Sequence, residues 1–224
     1  MTPEHTVQLI TIDIGNTLGE FTGRSTTDRL REVSPFREVA PHRTAEAVRA
    51  LLHREPELTD DLVCQMCQRL LIPYGNFPTD WDRGYVPYED ASATLDELAT
   101  IAPVVTLSNM AVTGGPERVA AVRAAHGHQL EEVYTSYRLG GAKPEPWLWR
   151  MIADRRGVHI DRVVHIGDRL DADVYGAYFA GARVVHLRKE GSTVYPPFSG
   201  DHIRTVFRLS DAAAAVRAWA GLSA

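Results

Sequence analysis

Four groups of polar residues stand at the ends of apolar runs. Asp13 closes VQLITID and leads into a Gly15-Asn16-Thr17 turn. Ser108 and Asn109 close PVVTLSN, Lys143 sits in the Gly/Pro-framed GGAKPEP, and Gly167-Asp168 close RVVHIGD with Asp171 and Asp173 just behind. Carboxylate oxygens suit a hard cation such as Mg2+. A hydroxyl and an ammonium suit the oxygens of a phosphoryl group, and a carboxylate beside such a group can act as a nucleophile. Each group also has a plain structural reading. A strand-end Asp serves as a turn residue or helix cap, and Ser108-Asn109 fits a turn. Asp171 and Asp173 open a helical pattern, where acidic side chains meet the helix dipole favourably. His165 and His186 alternate within apolar runs and read as core histidines rather than ligands.

The elements that must position these residues follow from apolar periodicity. Continuous Val/Ile-rich runs predict strands over 7–14, 103–108, 131–136, 162–167, 182–187 and 205–209. Helical patterns lie between them at 92–101, 116–125, 146–156, 172–181 and 211–220. Strand–helix alternation with unbroken apolar strands predicts a doubly wound, Rossmann-like α/β sandwich on a parallel sheet. Ligands in such a sheet bind outside the carboxyl ends of the strands, where the four polar groups fall. Residues 20–88 break the rhythm. They offer no convincing strand, and TTDRLREV, HRTAEAVRALLHR and LTDDLVCQMCQRLL read as amphipathic helices. The expected organisation is a core of residues 1–19 and 89–224 with a helical insert over 20–88.

Bulk properties narrow the classes. The chain has 224 residues, 44% apolar, enough for one medium domain with a real core. A net charge of −5 argues against nucleic acid or an anionic membrane as the main partner. There is no apolar run of membrane-spanning length and no signal-peptide pattern, so a cytoplasmic protein is expected. Cys64 and Cys67 form a lone CQMC on a helical pattern, which reads as ordinary helix rather than half a zinc site. The only lysines are Lys143 and Lys189.

Taken together and in order, DIGNTL (13–18), TLSNM (106–110), GGAKPEPW (140–147) and GDRLDADVYGAYFAG (167–181) resemble the haloacid dehalogenase-like superfamily of hydrolases. The resemblance covers nearly all of the sheet, and the insert matches the position of that family's helical cap. It implies a Mg2+-dependent phosphatase acting on a small phosphorylated molecule, as a monomer or homodimer. Asp13 would attack the phosphoryl group and form an aspartyl-phosphate. Asp13, Asp168 and the Gly15 carbonyl would bind the metal. Thr17, Ser108, Asn109 and Lys143 would hold the phosphoryl oxygens, and Asp173 would support the metal or its loop.

One position departs from the family pattern. The family's second Asp, which protonates the leaving oxygen and later activates water, is Gly15 here. Glu20, His42 and His53 are candidate substitutes. Two other readings follow from the loss: a phospho-ligand binder without turnover, or a metal-independent dehalogenase-type hydrolase, whose leaving halide needs no proton. The dehalogenase branch, however, lacks the Gly167-Asp168 type of motif. A phosphonate-cleaving relative would need a cap lysine, and there is none before Lys143. DIGNT also resembles the phosphate loop of actin-like kinases, with LGEFTG as a second hairpin strand, but that leaves KPEP and GDRLDAD unexplained.

Overall fold

The computed structural model describes residues 7–81, 84–188 and 197–222. Lys189 lies outside the described residues. The chain runs β1 (Leu9–Ile12), β2 (Gly19–Phe21), α1 (Thr26–Val33), α2 (His42–Ala47), α3 (Asp60–Leu70), β3 (Tyr85–Pro87), α4 (Ala91–Ala99), β4 (Val104–Ser108), α5 (Gly115–His126), β5 (Glu132–Thr135), α6 (Ser136–Leu139), α7 (Trp147–Arg155), β6 (Val163–Gly167), α8 (Tyr175–Ala180), β7 (Arg183–Leu187), β8 (Ile203–Val206) and α9 (Ser210–Ala220). Six strands form one parallel sheet in the order β5-β4-β1-β6-β7-β8. The chain therefore starts in the middle and winds outward in both directions. The crevice of such a sheet opens beside the first strand, where the winding reverses.

Burial explains why the apolar runs are unbroken. Every residue of β1, β4 and β6 is buried, because helices cover both faces. Ile10, Ile12, Val164 and Ile166 face one core with Leu95, Leu98, Val122 and Val216 from α4, α5 and α9. Leu9, Val105 and Val163 face the other, with Leu148, Trp149 and Ile152 from α7 and Ala177 from α8. Leu30, Leu52, Met66 and Leu70 of the insert join the first core.

Residues 20–88 carry α1 to α3, with two features that the sequence pattern did not show. The second helix widens into a π turn over Val48–Leu52, and the segment is not free of strands. β2 and β3 pair antiparallel from its two ends, in the register Glu20↔Val86 and Phe21↔Tyr85. These three-residue strands lack a buried alternating face. They are held by pairing between segments far apart in sequence, which local periodicity cannot show. The strand expected at 205–209 lies two residues earlier, at Ile203–Val206, where it pairs with β7. The helix expected at 172–181 opens with a π turn, Leu170–Val174. The insert packs against loops at the carboxyl end of the sheet. Leu52 O accepts from Val112 N at 2.8 Å, Thr26 and Thr113 hydroxyls are 3.0 Å apart, and Arg54 pairs with Glu145.

Candidate active site

β4, β1 and β6 are neighbours, so their carboxyl ends bring Ser108, Asp13 and Asp168 together. Asp13 keeps strand pairing through its N–H to Ile166 O at 2.9 Å, then the chain turns sharply. Asn16 holds φ at 59°, a left-handed geometry that Asn tolerates better than most residues. Its N–H donates to Gly19 O, while Leu18 N–H donates to Ile14 O, so β2 leaves directly beside the turn. The Thr17 hydroxyl is buried with no hydrogen-bond partner among the described residues.

Lys143 reaches this point from the loop before α7. Its ammonium donates to Asp13 Oδ1 at 2.7 Å and to Asp173 Oδ1, and it is only 3% exposed. Asn109 fixes the lysine's backbone from both sides. Lys143 N–H donates to Asn109 Oδ1 at 2.7 Å, and Asn109 Nδ2 donates to Lys143 O at 2.9 Å. The Asn109 side chain is thus engaged on the lysine, a role that its place in the sequence did not suggest. Ser108 is buried at the end of β4. Ser136, which sequence reasoning passed over, ties the loop after β4 by exchanging hydrogen bonds with Met110 N–H and Met110 O.

Asp173 is fully buried, and its second oxygen accepts from Arg169 N–H at 3.0 Å. Gly167 makes room for it, since a Cβ there would lie 2.4 Å from the Asp173 carboxyl carbon. One carboxylate oxygen each from Asp13, Asp168 and Asp173 lie within 4.8 Å of one another. Asp171, by contrast, turns to an exposed ion pair with Arg169.

The electrostatics are those of a site short of positive charge. Burial, reinforced by Asp13 and Asp173, pushes the Asp168 carboxyl up to about 7. Burial also raises Asp13 above the usual carboxylate range despite Lys143. Burial opposes the Lys143 ammonium, yet Asp13 and Asp173 hold its pKa above the ordinary lysine value. Asp173 is likewise opposed by burial, but Lys143 and His165 hold it ionised, below the usual range. Three carboxylates against one ammonium leave a formal charge of −2, which one divalent cation cancels. Asp168 Oδ1 is buried with no hydrogen-bond partner among the described residues. An all-oxygen donor set with an unpaired buried carboxylate oxygen fits a hard cation such as Mg2+.

The side of the loop vacated at Gly15 is apolar. A Cβ on Gly15 would meet only Phe21 ring carbons, at 3.7 Å. Phe21 stacks near Tyr85, with ring centroids 5.4 Å apart, and Arg118 lies over its ring. The hairpin register places Glu20 on the other side, where it accepts from the Tyr88 hydroxyl at 3.0 Å. His42 is exposed on the insert beside Arg49 and Arg69. His53 is partly buried and pushed down to about 4 by burial, Arg49 and Arg54. Neither Glu20 nor His42 is placed against Gly15. Cys64 and Cys67 are free thiols on α3, as ordinary helix residues. A surface cavity of about 640 Å³ is lined by Asp96, Pro103, His128 and Leu130 at the amino end of β4, opposite the acidic cluster. No described helix is long and apolar enough to cross a membrane.

Several known proteins are similar to this chain. The family model described as HAD-hydrolase-like matches residues 141–197, the stretch carrying Lys143, Asp168 and Asp173. A glyceraldehyde 3-phosphate phosphatase of Methanopyrus kandleri is 28% identical over 184 residues, covering 69% of this chain and 79% of the relative. A phosphoserine phosphatase of Thermus thermophilus is 32% identical over 129 residues, covering 56% of this chain and 51% of the relative. Among solved structures, a 2-haloacid dehalogenase of Pseudomonas syringae pv. tomato superposes with a TM-score of 0.64 at 18% identity, covering 96% of this chain and 100% of the dehalogenase. The sheet order, the motif residues gathered at its switch point and these likenesses together are those of a hydrolase of the haloacid dehalogenase-like kind.

Proposed function

We propose that the protein is a Mg2+-dependent phosphatase that transfers the phosphoryl group of a small phosphorylated metabolite to Asp13 and then to water. The observation that carries the reading is the buried Asp13–Lys143–Asp173 array beside Asp168 at the switch point of the sheet. The phosphatase relatives support the same reaction class. Asp13 Oδ attacks phosphorus and the bond to the leaving oxygen breaks, giving an aspartyl-phosphate. Water then adds at phosphorus, Asp13 leaves as carboxylate, and both protons of that water end on the released phosphate. Lys143, Ser108 and the Thr17 hydroxyl hold the phosphoryl oxygens, with Asn109 setting the lysine's backbone. Asp13, Asp168 and the Gly15 carbonyl would hold the cation. When bound, it neutralises the carboxylates and draws charge from the phosphoryl oxygens. Asp173, its carboxylate occupied by Lys143 and Arg169 N–H, serves the lysine rather than the metal.

With Gly15 in place of a carboxylic acid, the leaving oxygen departs without help from this loop. That loss also favours a second reading, a homologue that binds phospho-ligands without turning them over. Purified protein assayed with Mg2+ on an aryl phosphate and a panel of phosphorylated metabolites separates the two. Metal-dependent release of phosphate supports the phosphatase. Stabilisation by Mg2+ plus a phosphate-mimicking anion, without turnover, supports the binder. Halide release from 2-haloacids without metal would instead favour dehalogenase chemistry and overturn both.

A further inference from the structure

We propose that Thr11 and His165 are positioning residues: facing one another across β1 and β6, they fix the carboxylate of Asp173 and through it the aim of Lys143 at Asp13. This rests on the reading of Lys143 as the phosphoryl-binding cation. Thr11 and His165 are paired in the strand register, and both are fully buried on the sheet face covered by α7 and α8. Their neighbours Leu9, Val105 and Val163 are apolar. A hydroxyl and an imidazole in such a layer are costly unless both are hydrogen-bonded, and both are. Thr11 Oγ1 lies 2.9 Å from His165 Nδ1, and His165 Nε2 lies 3.2 Å from Asp173 Oδ1. The Trp149 indole packs on the imidazole nearly at right angles, with centroids 5.1 Å apart.

The partners assign the protons. Asp173 is an acceptor, since it already takes hydrogen bonds from the Lys143 ammonium and from Arg169 N–H. A bare Nε2 facing that carboxylate would be repelled, so Nε2 carries the hydrogen and donates. In a neutral ring Nδ1 is then the acceptor, and the Thr11 hydroxyl donates to it at 2.9 Å in preference to Val164 O at 3.4 Å. The hydrogen bonds run Thr11 → His165 → Asp173, and Lys143 donates to both Asp173 and Asp13. Asp173 is held by three donors from β6, the loop after β6 and the Lys143 loop. A lysine head on a flexible four-carbon stem is directed by whatever anchors it, and here that anchor is itself braced from beneath the sheet.

Two measurements test the inference. A long-range 1H–15N spectrum of the imidazoles should show His165 as the neutral Nε2–H tautomer. Thr11→Val should shift its Nδ1 resonance while leaving Nε2 protonated. The Nδ1–H tautomer, or no response to Thr11→Val, overturns the arrangement whether or not the protein turns over phosphate. The second measurement compares His165→Leu with His165→Gln, which keeps a donor near the Nε2 position. With Mg2+ and an aryl phosphate, His165→Leu should lower kcat by roughly tenfold or more with thermal stability kept, and Gln should restore most of it. A merely structural histidine predicts the reverse, with Leu at least as active as Gln. If His165→Leu fails to fold, the Thr11→Val spectrum and kcat carry the test. Absence of turnover in the wild type would contradict the phosphatase reading but leave the spectroscopic result standing.

Discussion

Gly15→Asp restores a carboxyl group where the loop has none. The backbone accepts it, because Gly15 is not among the residues with positive φ and its Cβ would meet only the Phe21 ring, at ordinary contact distance of 3.7 Å. The new carboxyl would stand beside an aromatic ring and near a cluster whose formal charge of −2 is cancelled by the cation and restored by the bound phosphoryl dianion. Both surroundings disfavour the ionised form, so it would be held protonated near neutral pH, the state a proton donor needs. General acid–base assistance is worth roughly 10²–10⁴-fold in rate, or about 3–5 kcal/mol of barrier. That gain applies to leaving groups that depart poorly as anions. The assay is kcat/KM with Mg2+ over a series of alkyl and aryl phosphates of increasing leaving-group pKa. Wild type should fall steeply along the series. Gly15→Asp should flatten the slope, raising alkyl phosphates by at least roughly tenfold and changing aryl phosphates little. Unchanged or lower activity on alkyl phosphates, with aryl activity and thermal stability retained, would refute the reasoning and show that another group already delivers the proton.

Other expectations follow from the same geometry. Asp168→Asn removes the partly buried carboxylate pushed up to about 7 by burial, Asp13 and Asp173. The metal-free variant should melt higher than metal-free wild type above that pH. It should also lose the Mg2+ stabilisation, which for wild type at a hundredfold excess over Kd is about 2.7 kcal/mol. A lower melting point in metal-free Asp168→Asn would contradict the charge argument. His53 gives a separate pH signature. Its folded pKa of about 4 lies below the ordinary histidine value, so the unfolded chain binds the extra proton first as pH falls. Stability should therefore be full above about 6.5 and decline towards 4, by on the order of 2–3 kcal/mol. Denaturant midpoints at the two ends of this window, for wild type and His53→Asn, measure it, and an equal slope in both would remove His53 as the cause.

The candidate site was legible in the sequence because parallel strands buried on both faces show as unbroken apolar runs. Asp13, Ser108 and Asp168 announce themselves by ending such runs, and a strand order that winds out from β1 makes those ends adjacent. Lys143 stood out by its Gly/Pro frame and by the scarcity of lysine. What was hidden depends on long-range pairing. The β2–β3 hairpin joins segments more than sixty residues apart and has no apolar periodicity. Its register decides that Phe21 rather than Glu20 faces Gly15. His165 and Thr11 sit where apolar residues are expected, so pattern alone gives only burial. Their contact with Asp173 needs the β1–β6 register and the π turn at Leu170–Val174 that carries the carboxylate back. The engagement of Asn109 with Lys143 is likewise a contact between two loops.

The central claim is that Asp13 carries the phosphoryl group. Turnover with Mg2+ and an aryl phosphate, quenched in acid within the first turnovers and treated with borohydride, should convert Asp13 to homoserine through its acyl-phosphate. Peptide mass spectrometry should find that change at position 13 only, absent without substrate and absent in Asp13→Asn, which should also lose turnover. Steady phosphate release with no modification at Asp13, or full activity in Asp13→Asn, would contradict the account.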